Sequence, residues 1–143
     1  SALDTPHIVT FGDAEVSSDG SISLGADGVI TALKAFHLPV TFFVQFGREA
    51  GANVSVLYGQ VMFDIGGTGS WLAIGDSICA KLDNVNTQLP VELETTVTMA
   101  IGDKLRLDII RDSSGHNSGG LFDGTPALVG LNPSVCAQFT VWE

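Results

Sequence analysis

Along much of this chain apolar and polar side chains alternate at every second position, the period at which a β-strand sends successive side chains to opposite faces. The pattern is clearest between residues 91 and 109. Val91, Leu93, Thr95, Val97 and Met99 share one face and Glu92, Glu94, Thr96 and Thr98 the other, and Leu105, Leu107 and Ile109 repeat the alternation against Lys104, Arg106 and Asp108. With Gly102-Asp103 between them, these runs predict a hairpin with one wet face, on which Lys104 and Arg106 stand across from Glu92 and Glu94. His37 to Phe46 predicts a central strand covered on both faces, with Val40, Phe42, Val44 and Phe46 on one side and Phe43 on the other. Val54 to Ile65 and Trp71 to Lys81 predict a pair across Gly66-Gly67-Thr68-Gly69, and Ser134 to Trp142 a last strand that turns Ala137, Phe139 and Val141 inward. Phe42, Val44, Val97, Leu107, Ile109 and Phe139 are the expected core.

Before residue 36 the apolar runs are short: Pro6 to Phe11, Ser21 to Leu24 and Val29 to Leu33, separated by Asp19-Gly20 and Asp27-Gly28 turns. No helical period, internal repeat or linker interrupts the series. The expected fold is therefore all-β, an antiparallel two-sheet sandwich of the jelly-roll kind, formed by residues 1–143 as a single domain. Within it, residues 36–143 form the main jelly roll, and residues 1–35 form an assembly arm or edge strands that add little to a core beginning near Phe36.

Composition narrows the function. Seventeen glycines and a hydrophobic share of 45% describe a turn-rich, packed β-protein. A net charge of -10 with six Lys plus Arg argues against nucleic acid, because no basic patch is available to displace counterions from phosphates. No window approaches the roughly 18 apolar residues of a membrane helix, so no membrane partner is expected. Ser1-Ala2 matches what initiator-Met removal leaves on a chain made in the cytoplasm, the expected reading, though a processed precursor would begin the same way. Cys79 and Cys136 are too few for a disulfide framework and read as small apolar strand residues, with Cys136 on the face opposite the main stripe of its strand; a single bridge between them stays open.

Catalytic chemistry finds little support. His7, His37 and His116 are dispersed, and the Gly66 to Gly69 run lacks the Lys-Ser/Thr of a phosphate-binding loop. Glu92 and Glu94 lie about 7 Å apart by strand geometry, but read as a wet face rather than an acid/base pair. Ser113, Ser114 and Ser118 have no nucleophile-elbow motif. The chain is read as not an enzyme, without catalytic residues, cofactor or metal. The long connection after residue 111 is the best binding-loop candidate, since such loops are uncommon in compact domains unless they serve function; Arg111, Asp112, Ser113, His116 and Asn117 are its candidate contacts. Phe43, Phe63, Trp71 and Trp142 are candidates for aromatic anchors on exposed faces.

From Phe42-Phe43-Val44-Gln45-Phe46-Gly47-Arg48, through Ala100-Ile101-Gly102-Asp103-Lys104-Leu105-Arg106-Leu107 and Arg111-Asp112-Ser113-Ser114-Gly115-His116-Asn117-Ser118-Gly119-Gly120-Leu121, to Asn132-Pro133-Ser134, the chain resembles phage virion proteins with a jelly-roll domain. These include capsid cement or decoration proteins and fibre heads, similar in outline to the tumour-necrosis-factor and C1q folds. The resemblance covers about residues 36 to 142 and implies a structural protein of the virion. Its expected place is the outside of the capsid, its partners the major capsid protein and further copies of itself in a homotrimer. The alternative it implies is a receptor- or glycan-binding head domain of a tail or head fibre.

Overall fold

The computed structural model describes residues 3–11, 20–48, 54–113, 119–122 and 136–142. Its strands are β1 (His7–Ile8), β2 (Ile22–Leu24), β3 (Ile30–Ala32), β4 (Phe36–Arg48), β5 (Ser55–Asp64), β6 (Trp71–Leu82), β7 (Thr87–Met99), β8 (Lys104–Arg111), β9 (Gly120–Leu121) and β10 (Ala137–Val141), with one 3-10 turn at Ile65–Gly67. All pairings are antiparallel. One sheet, called A here, runs β2-β3-β8-β5-β6 with β1 also on β8; the other, sheet B, runs β10-β4-β7 with β9 also on β4.

The pairs are nested. β5 pairs with β6, β4 with β7 and β3 with β8, and successive pairs lie in alternate sheets. The chain is thus a long antiparallel ribbon, tipped by the β5–β6 hairpin and folded over on itself, which is a jelly roll. Between the sheets lie Val40, Phe42, Val44 and Phe46 of β4, Val97 and Met99 of β7, and Leu57, Val61, Leu105 and Leu107 of β5 and β8, all buried. Phe11, Phe42 and Phe139 pack as a ring cluster, the Phe42 and Phe139 centroids 4.7 Å apart. Ile109 and Phe139 are partly buried against this core.

β4 is central to sheet B, and its second face is also largely covered: Thr41, Gln45 and Gly47 are buried and Phe43 half-buried. Arg48 donates to the carbonyls of Leu82 and Asp83, so its guanidinium braces the turn between β6 and β7.

The expected hairpin between residues 91 and 109 does not form. Alternation sorts Val91 to Met99 and Leu105 to Ile109 into inward and outward sets, but β7 pairs with β4 and β8 with β5, in opposite sheets. The Ala100 to Asp103 turn therefore crosses between layers. Glu92 and Glu94 face Phe43 and Thr41, and Lys104 and Arg106 face Asp64 and Met62, so the expected cross-strand ion pairs are absent. Periodicity reports which face a side chain takes, not which strand lies beside it.

The amino-terminal segment is also more integrated than its composition suggests. Val9 is buried, its N–H donates to the carbonyl of Leu107, and Asp4 N–H donates to the carbonyl of Arg111. Gly28 sits at a φ of 81°, where a Cβ would overlap the Val9 carbonyl. Ile30 and Ala32 complete the core from β3. The core thus begins before Phe36, because short strands can still insert a side chain between two sheets.

Candidate functional site

The outward face of sheet A is built from alternate residues of its long strands. From β5 come Val56, Tyr58, Gln60 and Met62, from β8 Arg106, Asp108 and Ile110, and from β6 Trp71, Ala73 and Cys79, all placed by the pairing register. Arg106 and Asp108 sit two residues apart on one strand, so their side chains project together. Arg106 Nε lies 2.9 Å from Asp108 Oδ1, and Nη2 donates to Oδ2 at 2.9 Å. The Arg106 guanidinium lies 4.2 Å from the centroid of the Trp71 ring. A cation over an aromatic face contributes roughly 0.5–2 kcal/mol according to its exposure, and here the carboxylate fixes the guanidinium in that position. Gln60 donates to the carbonyl of Ile74, filling the irregularity where β6 carries extra residues opposite β5. The result is a firm, mainly apolar surface: Tyr58, Met62, Ile110 and Trp71 are half-buried around the ion pair, and Ile8 is exposed beside it.

Cys79 lies exposed on this face rather than in the core, and both cysteines are free thiols. It stands across from Tyr58. The hydrogen bond with Cys79 and the charge that thiol can carry, with burial and the charge of Asp112 in support, push the Tyr58 phenol above its ordinary range. Cys79 follows the outward parity of β6, which a count of apolar neighbours does not reveal.

Of the anticipated anchors, Trp71 alone belongs to sheet A's outward face. Phe43 and Trp142 lie on the outward face of sheet B, with the thickness of the sandwich between them and Trp71. Trp142 is 54% exposed and its indole N–H donates to Thr41 Oγ1 at 2.6 Å. Phe63 takes the inward register opposite Leu105 and packs against the core, so it is no surface anchor.

Arg111, Asp112 and Ser113 follow one another where β8 ends. Asp112 N–H donates to the carbonyl of Val56, and Ser113 N–H to the carboxylate of Asp4, so the amino-terminal segment holds the root of the loop. His116 and Asn117 lie outside the described residues. Beside the root is a cleft of about 250 Å³ lined by His7, Leu57, Ile109, Ile110, Arg111, Gly119, Gly120 and Leu121. Its walls are chiefly aliphatic, with one imidazole and one guanidinium.

At the opposite end of the strands, one carboxylate ties loops together. Buried Asp103 accepts from Gly66 N–H through Oδ1 and from Ala100 N–H through Oδ2, while its carbonyl accepts from Ala32 N–H. Asp64 organises the neighbouring turn. Burial opposes its ionisation, but hydrogen bonds from Gly69 and Thr68 and the charge of Lys104 outweigh that and hold its carboxyl below the usual range. These two carboxylates are structural, and among the described residues no group of three or more His, Cys, Asp or Glu is placed to hold a metal ion.

No family model matches the sequence, and neither does any curated protein. Among solved structures the chain is similar to Eiger TNF from S. frugiperda, at 8% sequence identity and a TM-score of 0.47, over 77% of this chain and 74% of that one. The jelly-roll outline of the present chain rests on its own nested strand order.

Proposed function

We propose that this chain is a non-enzymatic assembly protein: a cement or decoration protein of a phage virion, made in the host cytoplasm, that binds the outside of the capsid as a homotrimer. Its partners in this reading are the major capsid protein and further copies of itself, with no nucleic acid, membrane or cofactor. The sequence resemblance to virion jelly rolls supplies the setting. The observation that carries the reading is the outward face of sheet A, where Trp71, Met62, Tyr58 and Ile110 surround an ion pair that is already formed and largely desolvated. A surface whose charged groups are already paired within the subunit has less to desolvate on meeting a partner and gains from its apolar rim.

Analytical ultracentrifugation of the purified protein, followed by co-sedimentation with preassembled shells, tests the reading. The expected results are a trimer mass and shell binding, both reduced by Trp71→Ser with Met62→Ser. A monomer that binds no shell overturns it. The cleft beside Arg111, with its single guanidinium and imidazole, favours a second reading as a receptor- or glycan-binding fibre head, for which saturation-transfer NMR with oligosaccharides is the direct measurement.

A further inference from the structure

The side of the sandwich between β6 and β7 combines three features. The first is an unpaired row of backbone groups on β7. Gln45 uses both its backbone groups on the β9/β10 side of β4, its N–H donating to Cys136 and its carbonyl accepting from Phe122, and the Pro39 carbonyl accepts there from Trp142 N–H. Odd-numbered residues of β4 therefore point toward β10, and even-numbered ones toward β7, where they meet Leu89, Val91, Leu93, Thr95 and Val97. It follows that Gln88, Pro90, Glu92, Glu94, Thr96 and Thr98 direct their backbone groups away from the sheet. Pro90 agrees: a residue without an N–H is tolerated in a sheet where its nitrogen faces a free edge. Among the described residues no strand pairs with this row.

The second feature is an open apolar seam. Leu89 of β7 and Leu72 of β6 take inward register positions yet are 38% and 57% exposed, and Val91, Leu93, Ile74 and Ile78 are only half-buried. The third is charge. Glu92 and Glu94 are exposed on the outward face of β7, and their cross-strand neighbours on β4 are Phe43 and Thr41, so among the described residues no cation stands across from them.

We infer that this edge receives an extended segment of another protein, added as a further strand of sheet B, in which Lys or Arg alternates with apolar residues. The alternation follows from the geometry. Side chains of an added strand lie on the same face as the residues opposite them, so its basic residues meet Glu92 and Glu94 while the apolar residues alternating with them turn inward along the half-buried Val91 and Leu93. A second copy of this chain does not fit: pairing two β7 strands along their full length sets Glu92 of one directly opposite Glu94 of the other, and like charges so placed are destabilising. The inference does not depend on the role in a virion.

The test uses the full chain and three synthetic nonapeptides: alternating Lys and Val, alternating Glu and Val, and the Lys/Val peptide N-methylated at alternate backbone positions on its β7-facing side. Heteronuclear NMR is expected to show the first peptide binding and slowing amide exchange at Glu92, Glu94, Thr96 and Thr98, with Leu93 and Val97 unchanged. The N-methylated peptide keeps the charge but lacks the N–H donors and carries methyl groups that bar it from the edge, so it should not protect those amides. Replacing Glu92 and Glu94 by Gln should weaken binding by about 2- to 30-fold at low salt, the range of two exposed ion pairs. Equal binding by the N-methylated or the Glu/Val peptide overturns the inference, as does unchanged exchange along β7. Dimerisation of the free protein through β7 overturns it in favour of a second copy.

Discussion

Replacing Val9 by Ala separates a docked amino-terminal strand from a detached arm. Val9 is 2% exposed, a member of the core, with its carbonyl against Gly28 and its N–H bonded to the Leu107 carbonyl. The substitution removes two methyl groups. Their transfer to water accounts for about 1.6 kcal/mol at roughly 0.8 kcal/mol per buried carbon, and the space they leave adds up to roughly 1 kcal/mol if the surrounding chains do not close over it. The expected loss is therefore about 2–3 kcal/mol, read as a lower urea midpoint with unchanged slope and followed by the fluorescence of Trp71 and Trp142. Thr10→Ala is the internal control: Thr10 is exposed, and its loss should fall within about 0.5 kcal/mol of zero. Equal, negligible effects at both positions would refute the docking of β1 against β8 and restore residues 1–35 as an arm.

Phe42→Ala, at the centre of the Phe11 and Phe139 cluster, should cost about 3–5 kcal/mol in the same urea assay; a loss under about 1 kcal/mol would mean that the inward face of β4 is misplaced. Asp64 has its folded pKa below the unfolded value, so its stabilising contribution is complete above the unfolded carboxylate range near about 3.9 and disappears as pH falls through the folded value. Asp64→Asn should accordingly flatten the fall in urea midpoint between pH 5 and pH 2; an unaltered acid profile would remove Asp64 from that role.

Within the sites, legibility followed the kind of signal. Arg111, Asp112 and Ser113 were recognisable as the root of a long polar connection. The Arg106, Asp108 and Trp71 assembly was not, because Trp71 joins Arg106 only after β5 is inserted between β6 and β8. The i, i+2 spacing of Arg106 and Asp108 on one strand was the available clue. Asp103 was visible as a turn residue, but its clasp on Gly66 required a loop remote in sequence to arrive beside it.

Alternation along each strand is a local property of the chain, set by a pleat that sends neighbouring side chains to opposite faces. The sequence alone therefore determined that the protein is built of strands, that Phe42, Val44, Val97 and Leu107 lie inside, and that Glu92 and Glu94 lie outside. It also determined the β5–β6 hairpin, where a short glycine turn leaves little choice of partner. Strand neighbours are not local. The same inward and outward sets of β7 and β8 suit a hairpin or a crossover between sheets, and only the competition of β4 and β5 for those strands decided for the crossover. That choice moved Lys104 and Arg106 away from the glutamates and joined Arg106 to Trp71. It also left one edge of β7 unpaired among the described residues, for pairing in a sheet is settled by every strand at once.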